Sequence, residues 1–334
     1  MDMQAIFGVM IQLFAILVIG FVLNKAGILD AHTNSKLSSL IAKVTAPFLV
    51  ISSSLSAPTE NKGYIIQILI AGFVMYVVLI LAGPLLVRLF HFPRSHRYMY
   101  ECMIVFANVS FMGFSVLQTV VGNLAILYSS MLHFAFNIFI YTYAVWAMER
   151  SKEEETGSTE AINTEDTGTG VNQSADNAAR AAKKKFSPKD LVTPGIIMTI
   201  IALILYLAEI RTDGVVYDVI YMVGNVTAPL SMLILGSTLA LYPIKESLCD
   251  WHCYLFAVIR LIVIPVVSFG ICKLLHVDEF MTQIVTITNA MPVAAMVLMI
   301  GNDCKADTRI VIRNVFVSTA LSVVTIPVIV GVLL

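Results

Sequence analysis

Val44-Thr45-Ala46-Pro47 and Val226-Thr227-Ala228-Pro229 are the same four residues written twice, each time near the midpoint of an apolar stretch and each time followed by an apolar run containing Ser or Thr. One such tetrapeptide could recur by chance. Its recurrence at the same place in the second apolar stretch of each half of the chain makes coincidence a poor account, so we read the halves as repeats of one unit. If each unit holds an odd number of membrane helices, the second must enter the bilayer with the opposite orientation. The result is an inverted-topology repeat, an architecture of many secondary transporters.

The composition agrees with a membrane setting. Of 334 residues 58% are hydrophobic and only 13% charged, and the mean hydropathy is +0.86, outside the range of soluble domains. Crossing a hydrocarbon layer of about 30 Å takes roughly 20 apolar residues in a helix, because each backbone polar group must be satisfied within the segment. Ten windows meet that demand: Gln4 to Asn24, Ser38 to Ala57, Tyr64 to Phe90, Tyr98 to Val120, Leu124 to Met148, Leu191 to Glu209, Val219 to Tyr242, Tyr254 to Leu275, Phe280 to Ile300 and Ile310 to Leu334. The expected fold is therefore an all-α membrane protein of ten transmembrane helices. Two inverted five-helix repeats, 1–148 and 191–334, are joined by a polar linker over 149–190. The first window is read as a retained helix, since Met1-Asp2-Met3-Gln4 lacks the basic start of a secretory signal.

The linker carries Ser, Thr, Gly, Asn, an acidic run at Glu153-Glu154-Glu155 and a basic one at Lys183-Lys184-Lys185, with no apolar periodicity to build a core. It reads as a flexible cytoplasmic tether, with a regulatory or partner-binding segment as the alternative. Its lysines are placed to meet anionic headgroups. Orientation follows from the connections. Lys25, Arg94, Arg97, Arg150, Lys183, Lys245 and Lys305 all follow odd-numbered helices, against Lys62, Arg211 and Lys273 on the other side. By the positive-inside rule both termini lie outside, in what we expect to be the bacterial inner (plasma) membrane. Arg260, Arg313 and Lys43 sit inside or at the ends of helices and do not vote.

The fourth and ninth helices carry the candidate site. Asn108 and Asn289 lie near their midpoints, in Ala107-Asn108-Val109-Ser110-Phe111-Met112-Gly113 and Thr288-Asn289-Ala290-Met291-Pro292-Val293. Proline and glycine weaken a helix, and breaks at corresponding positions of two repeats point to a midplane binding site. The competing explanation is ordinary packing kinks. On the fifth helix His133, Asn137 and Tyr141 recur at i, i+4, i+8 and so share a face. Asn314, Ser318, Ser322 and Thr325 form a stripe on the tenth, which interhelical hydrogen bonding alone would explain.

No Asp or Glu falls at the centre of a window; Glu101, Asp218, Asp303 and Asp307 lie toward helix ends. That weakens proton coupling through a buried carboxylate and leaves His133 as the midplane group able to titrate near neutrality. An anionic substrate needs no basic side chain where a broken helix offers unpaired N–H groups and its positive end. Arg313 near the start of the tenth helix suits gating of an anion or simple snorkelling. Five cysteines make no disulfide framework, and Cys249 and Cys253 with His252 lack the fourth ligand of a metal site, so no metal or other cofactor is expected.

These segments resemble the auxin efflux carrier family, which includes the plant PIN auxin exporters and bacterial malate and malonate permeases. The resemblance covers nearly the whole chain. It rests on five plus five helices around a linker, on Pro47 and Pro229 in helices 2 and 7, and on the stretches Asn108 to Gly113 and Asn289 to Pro292. It implies a fold like that of sodium/bile-acid symporters. Helices 1, 2, 6 and 7 would be a scaffold, helices 3 to 5 and 8 to 10 a moving transport domain, and helices 4 and 9 would cross at the site in each protomer of a homodimer. It also implies substrate contacts from Asn108, Asn289, Asn137 and Tyr141, beside Ser110, Gly113, Met291 and Pro292. One departure stands out: where relatives commonly have a proline after the first asparagine, this chain reads Gly113-Phe114-Ser115, so the first break must rely on Gly113 and Ser110.

The function expected from all this is secondary transport of small organic anions by alternating access, with Na+ or H+ as the coupling ion if there is one and no nucleic-acid partner. A membrane sensor using the same pocket is the alternative. A membrane enzyme fits less well, because no nucleophile and base share one depth, and the kinks form no obvious channel filter.

Overall fold

The computed structural model of the chain describes residues 3–56, 63–152, 194–241 and 250–334. The linker's acidic and basic runs, Lys62, Lys245 and Cys249 lie outside the described residues. Every regular element among those described is helical. In chain order they are α1 (Met3–Lys25), α2 (Ala31–Ser56), α3 (Gly63–Leu89), a broken α4 (Arg97–Val105, then Val109–Val120) and α5 (Asn123–Lys152). There follow α6 (Pro194–Leu207), α7 (Val215–Ala240) and α8 (Trp251–Leu274), a broken α9 (Glu279–Ala290, then Ala295–Asp303), and α10 (Arg309–Leu333). Among the described residues seven helices, α1, α2, α3, α5, α7, α8 and α10, are long and apolar enough to cross a membrane. The two broken helices and the short α6 are the remaining windows read from the sequence.

α2 starts at Ala31, well before the apolar window that opens at Ser38. Asp30 caps it, accepting from the Thr33 N–H at 2.7 Å, and its hydrogen bonds with Thr33 hold the Asp30 carboxyl below the ordinary carboxylate range. A polar first turn is invisible to a search for apolar runs. Further along, the helix widens into a π turn at Ile41–Thr45 just ahead of Pro47, and α8 does the same at Ile259–Val263 ahead of Pro265. A proline has no N–H and presses on the carbonyl four residues back; one extra residue in the preceding turn relieves both. The second copy of the tetrapeptide also straddles an interruption, since α7 pauses at Val226 between Val215–Asn225 and Thr227–Ala240.

Packing crosses between the halves of the chain. α1 lies along α7, and α2 against α6 and the first part of α7, while α3 packs on α5 and the first piece of α4, and α8 on α9 and α10. The α1–α7 contact brings backbone to backbone: a Cβ on Gly20 would run into the Leu233 carbonyl, and one on Gly236 into the Leu17 carbonyl. Small residues facing each other are how membrane helices approach when no hydrophobic force drives them together. The outer surface is lined by large apolar side chains such as Ile66, Leu81, Leu85, Leu274 and Val332, as a lipid-facing surface requires. The region where α4 and α9 meet is enclosed, with Phe106, Met291 and Val293 all at 0% exposure.

Candidate functional site

The two breaks pair with each other. In α9 the helix ends at Ala290, and Met291 is extended (φ −69°, ψ 147°), the conformation that a following proline imposes. In α4 the helix ends at Val105, Phe106 is extended (φ −102°, ψ 110°), and helix resumes after Asn108 (φ −79°, ψ 64°) with a π turn over Val109–Gly113. The break therefore precedes Ser110 and Gly113, the residues expected to make it. Its cause lies across the crossing. The Asn108 N–H donates to the Pro292 carbonyl at 2.8 Å and the Ala294 N–H to the Phe106 carbonyl at 3.0 Å, an antiparallel bridge centred on Ala107 and Val293. The Val293 N–H donates to Ser318 Oγ of α10 at 3.3 Å. Unpaired backbone groups cost several kcal/mol each in a setting without water, so each unwound segment supplies the partners the other needs.

Side chains gather around this bridge unevenly. Ser110 Oγ shares a 3.1 Å hydrogen bond with His133 Nε2, and the His133 ring stacks on Phe136 with centroids 4.2 Å apart. Asn137 donates its amide to the His133 carbonyl of its own helix at 3.0 Å. Tyr141 falls in the π turn Ile140–Ala144, which offsets it from the i, i+4, i+8 face. Gly113 packs on the other break: a Cβ there would stand 3.2 Å from Met291 Cγ and 3.3 Å from Val109 Cγ1.

The two asparagines behave differently. Asn289 donates to Ser268 Oγ of α8 at 3.0 Å and toward Met75 Sδ of α3 at 3.2 Å. Asn108 is also buried, yet its Nδ2 has no hydrogen-bond partner among the described residues. Arg313 is not brought to the crossing; it lies close to Tyr100 of α4 and Cys253 of α8. Pro47 and Pro229 stand on α2 and α7 and are not members of the bridge. Glu101, on the first piece of α4, is buried and accepts from the Tyr143 hydroxyl at 3.1 Å.

A cavity of about 100 Å³ opens beside the crossing, between Ser38 and Ile41 of α2, Ser231 and Thr238 of α7, and Phe111, Ala295 and Ile312 on the facing helices. Phe111 and Ala295 head the second pieces of α4 and α9, neither of which has a side-chain cap on its N-terminus. The positive ends of two half-helices thus meet the cavity wall, an arrangement suited to an anion. Ser231 ties α7 to this region by donating to the Phe111 carbonyl at 2.9 Å.

One charge inside an apolar window gains weight in the structure. Arg260, in the π turn of α8, is at 0% exposure, and among the described residues none of its three guanidinium nitrogens has a hydrogen-bond partner. The signal was present, since an arginine deep inside an apolar window marks function more often than topology. Tyr76 of α3 is close enough to interact with it electrostatically. The Tyr76 hydroxyl is likewise buried without a partner among the described residues, and its ring stacks on Phe106 of the first break at 6.3 Å.

Compared with known families, residues 5–330 match the family model described as membrane transport protein. Among curated proteins none matches the chain.

Proposed function

We propose, on the premise that the chain belongs to the membrane transport protein family, that it is a secondary carrier of small organic anions, carboxylates of the auxin-like or malate-like kind. One observation carries the proposal: two broken helices are hydrogen-bonded to each other at their breaks, Asn108 to Pro292 and Ala294 to Phe106, with uncapped half-helix ends against a cavity. Discontinuous helices crossing in this way suit a substrate bound at the repeat interface.

In this reading the helical segments are ten spans in two inverted repeats. α1, α2, α6 and α7 form a scaffold, and α3 to α5 with α8 to α10 form a transport domain that rocks against it. The preference of α1 for α7 and of α2 for α6 supports that division. The cavity lies between the two groups of helices, where alternating access would open and close it. Asn108, Ser110, Gly113, Met291 and Pro292 form the crossover site with Asn289 behind it, and His133 and Asn137 stand beside Ser110. Both termini face outside, the linker is cytoplasmic, the protein is a homodimer in the plasma membrane, and Na+ or H+ is the coupling ion if one is used.

The test is uptake of radiolabelled mono- and dicarboxylates into proteoliposomes, with sodium and proton gradients imposed separately, for wild type beside Asn108→Ala. Accumulation of one acid that Asn108→Ala abolishes, in a protein that remains folded, supports the carrier and its site. A panel that stays outside the vesicles, or a variant that transports normally, refutes one or the other.

A further inference from the structure

We infer that Arg260 and Tyr76 form a carboxylate-binding subsite within the bundle of α3, α8, α9 and α10, receiving the acidic group of the transported anion. The inference rests on the carrier reading above. Arg260 is at 0% exposure and Tyr76 at 1%. Among the described residues three guanidinium nitrogens and one phenol oxygen are all without hydrogen-bond partners, and no acidic side chain pairs with Arg260. A buried charge left in that condition is strongly unfavourable, and an ordered protein resolves it with a counter-charge.

The chemistry of the groups defines what fits. A guanidinium has only donors, set in a planar fork that matches two oxygens of one carboxylate, and a phenol adds one further donor from the side. A planar, acceptor-only carboxylate takes two N–H groups of the fork and the hydroxyl of the phenol. Position ties the pair to the transport site. The Tyr76 ring lies against Phe106, whose carbonyl receives the Ala294 N–H of the bridge. On α8, Ser268 receives the amide of Asn289, so the helix that carries the unpaired cation also holds one side of the crossing. The π turn at Ile259–Val263 is where Arg260 sits, and local widening of this kind recurs at functional sites.

The experiment uses the full-length protein in detergent and follows its melting temperature against acetate, malonate and indole-3-acetate, with chloride and sulfate as inorganic controls, for wild type, Arg260→Lys, Arg260→Gln and Tyr76→Phe. At least one carboxylate should raise the wild-type melting temperature in proportion to the logarithm of its concentration. Arg260→Gln should melt higher than wild type without ligand, because the unpaired charge is gone, and should bind the same acid roughly 10- to 100-fold more weakly. Tyr76→Phe should weaken it by a smaller factor, and Arg260→Lys should fall between the two. If Arg260→Gln binds the acid as tightly as wild type does, the subsite is wrong while the carrier reading survives. If no carboxylate stabilises the wild type, the carrier reading fails and takes the subsite with it. An Arg260-dependent shift given by chloride or sulfate but by no carboxylate overturns the substrate role in favour of a structural ion.

Discussion

The two halves of the crossing reach one geometry by different means. On α9 the break is written locally: Pro292 forces Met291 into the extended region and removes the donor that a continuous helix would need. On α4 no proline is present; Phe106 is extended and Asn108 leaves the helical region, and the segment pairs with the carbonyl of Pro292 and the N–H of Ala294 across the gap. One break is intrinsic and the other is induced by pairing with it. The side chains divide along the same line, since Asn289 is tied to α8 and α3 while the Asn108 amide nitrogen is held by nothing among the described residues.

This asymmetry can be broken experimentally, and Pro292→Ala should break it most. Alanine is favoured over proline in a helix by about 3 kcal/mol, enough to let α9 run on through its break and to lower uptake in proteoliposomes on the order of a hundredfold. Pro292→Gly, which keeps the segment flexible, should retain far more. Asn289→Ala comes next. It removes the amide from Ser268 Oγ, which should cost about 1 to 2 kcal/mol, read as a fall in melting temperature with or without substrate.

Gly113→Ala probes the seam between the breaks. Its new methyl meets Met291 Cγ at 3.2 Å, overpacking that should cost about 1 kcal/mol. Pairing it with Met291→Ala should recover part of the loss, a coupling of at least about 0.5 kcal/mol in a double-mutant cycle. Asn108→Ala should perturb the fold least, within about 0.5 kcal/mol, because its amide nitrogen has no partner to lose among the described residues, even though transport disappears. If Asn108→Ala and Asn289→Ala destabilise the protein equally, the division of labour between the two asparagines is wrong.

The same contrast explains how much could be read from the residues alone. Apolar windows located the long helices, because burying backbone polar groups in lipid leaves few alternatives to a helix. The α9 break was legible at Pro292, where a single residue carries its own conformational rule. The α4 break is legible near Asn108, but its reliance on Ser110 and Gly113 is not what the structure shows, since its backbone partners lie more than a hundred residues away on α9. The early start of α2 was hidden in polar residues that no apolar search weighs. Arg260 was visible but counted as a charge without a side, while its significance depends on what three other helices fail to place beside it.

The contact of Gly20 with Leu233 and of Gly236 with Leu17 bears on how the protein is made. α1 leaves the ribosome long before α7, to which the surface it is shaped to fit belongs. At roughly 5–20 residues per second, translation leaves that groove without its complement for on the order of ten seconds or more. During that interval α1 must sit in the bilayer exposing a bare strip of backbone, open to any other passing helix with a small-residue face. Biogenesis of this protein therefore has a built-in vulnerable period, and a slow codon or a stalled ribosome between α5 and α7 would lengthen it.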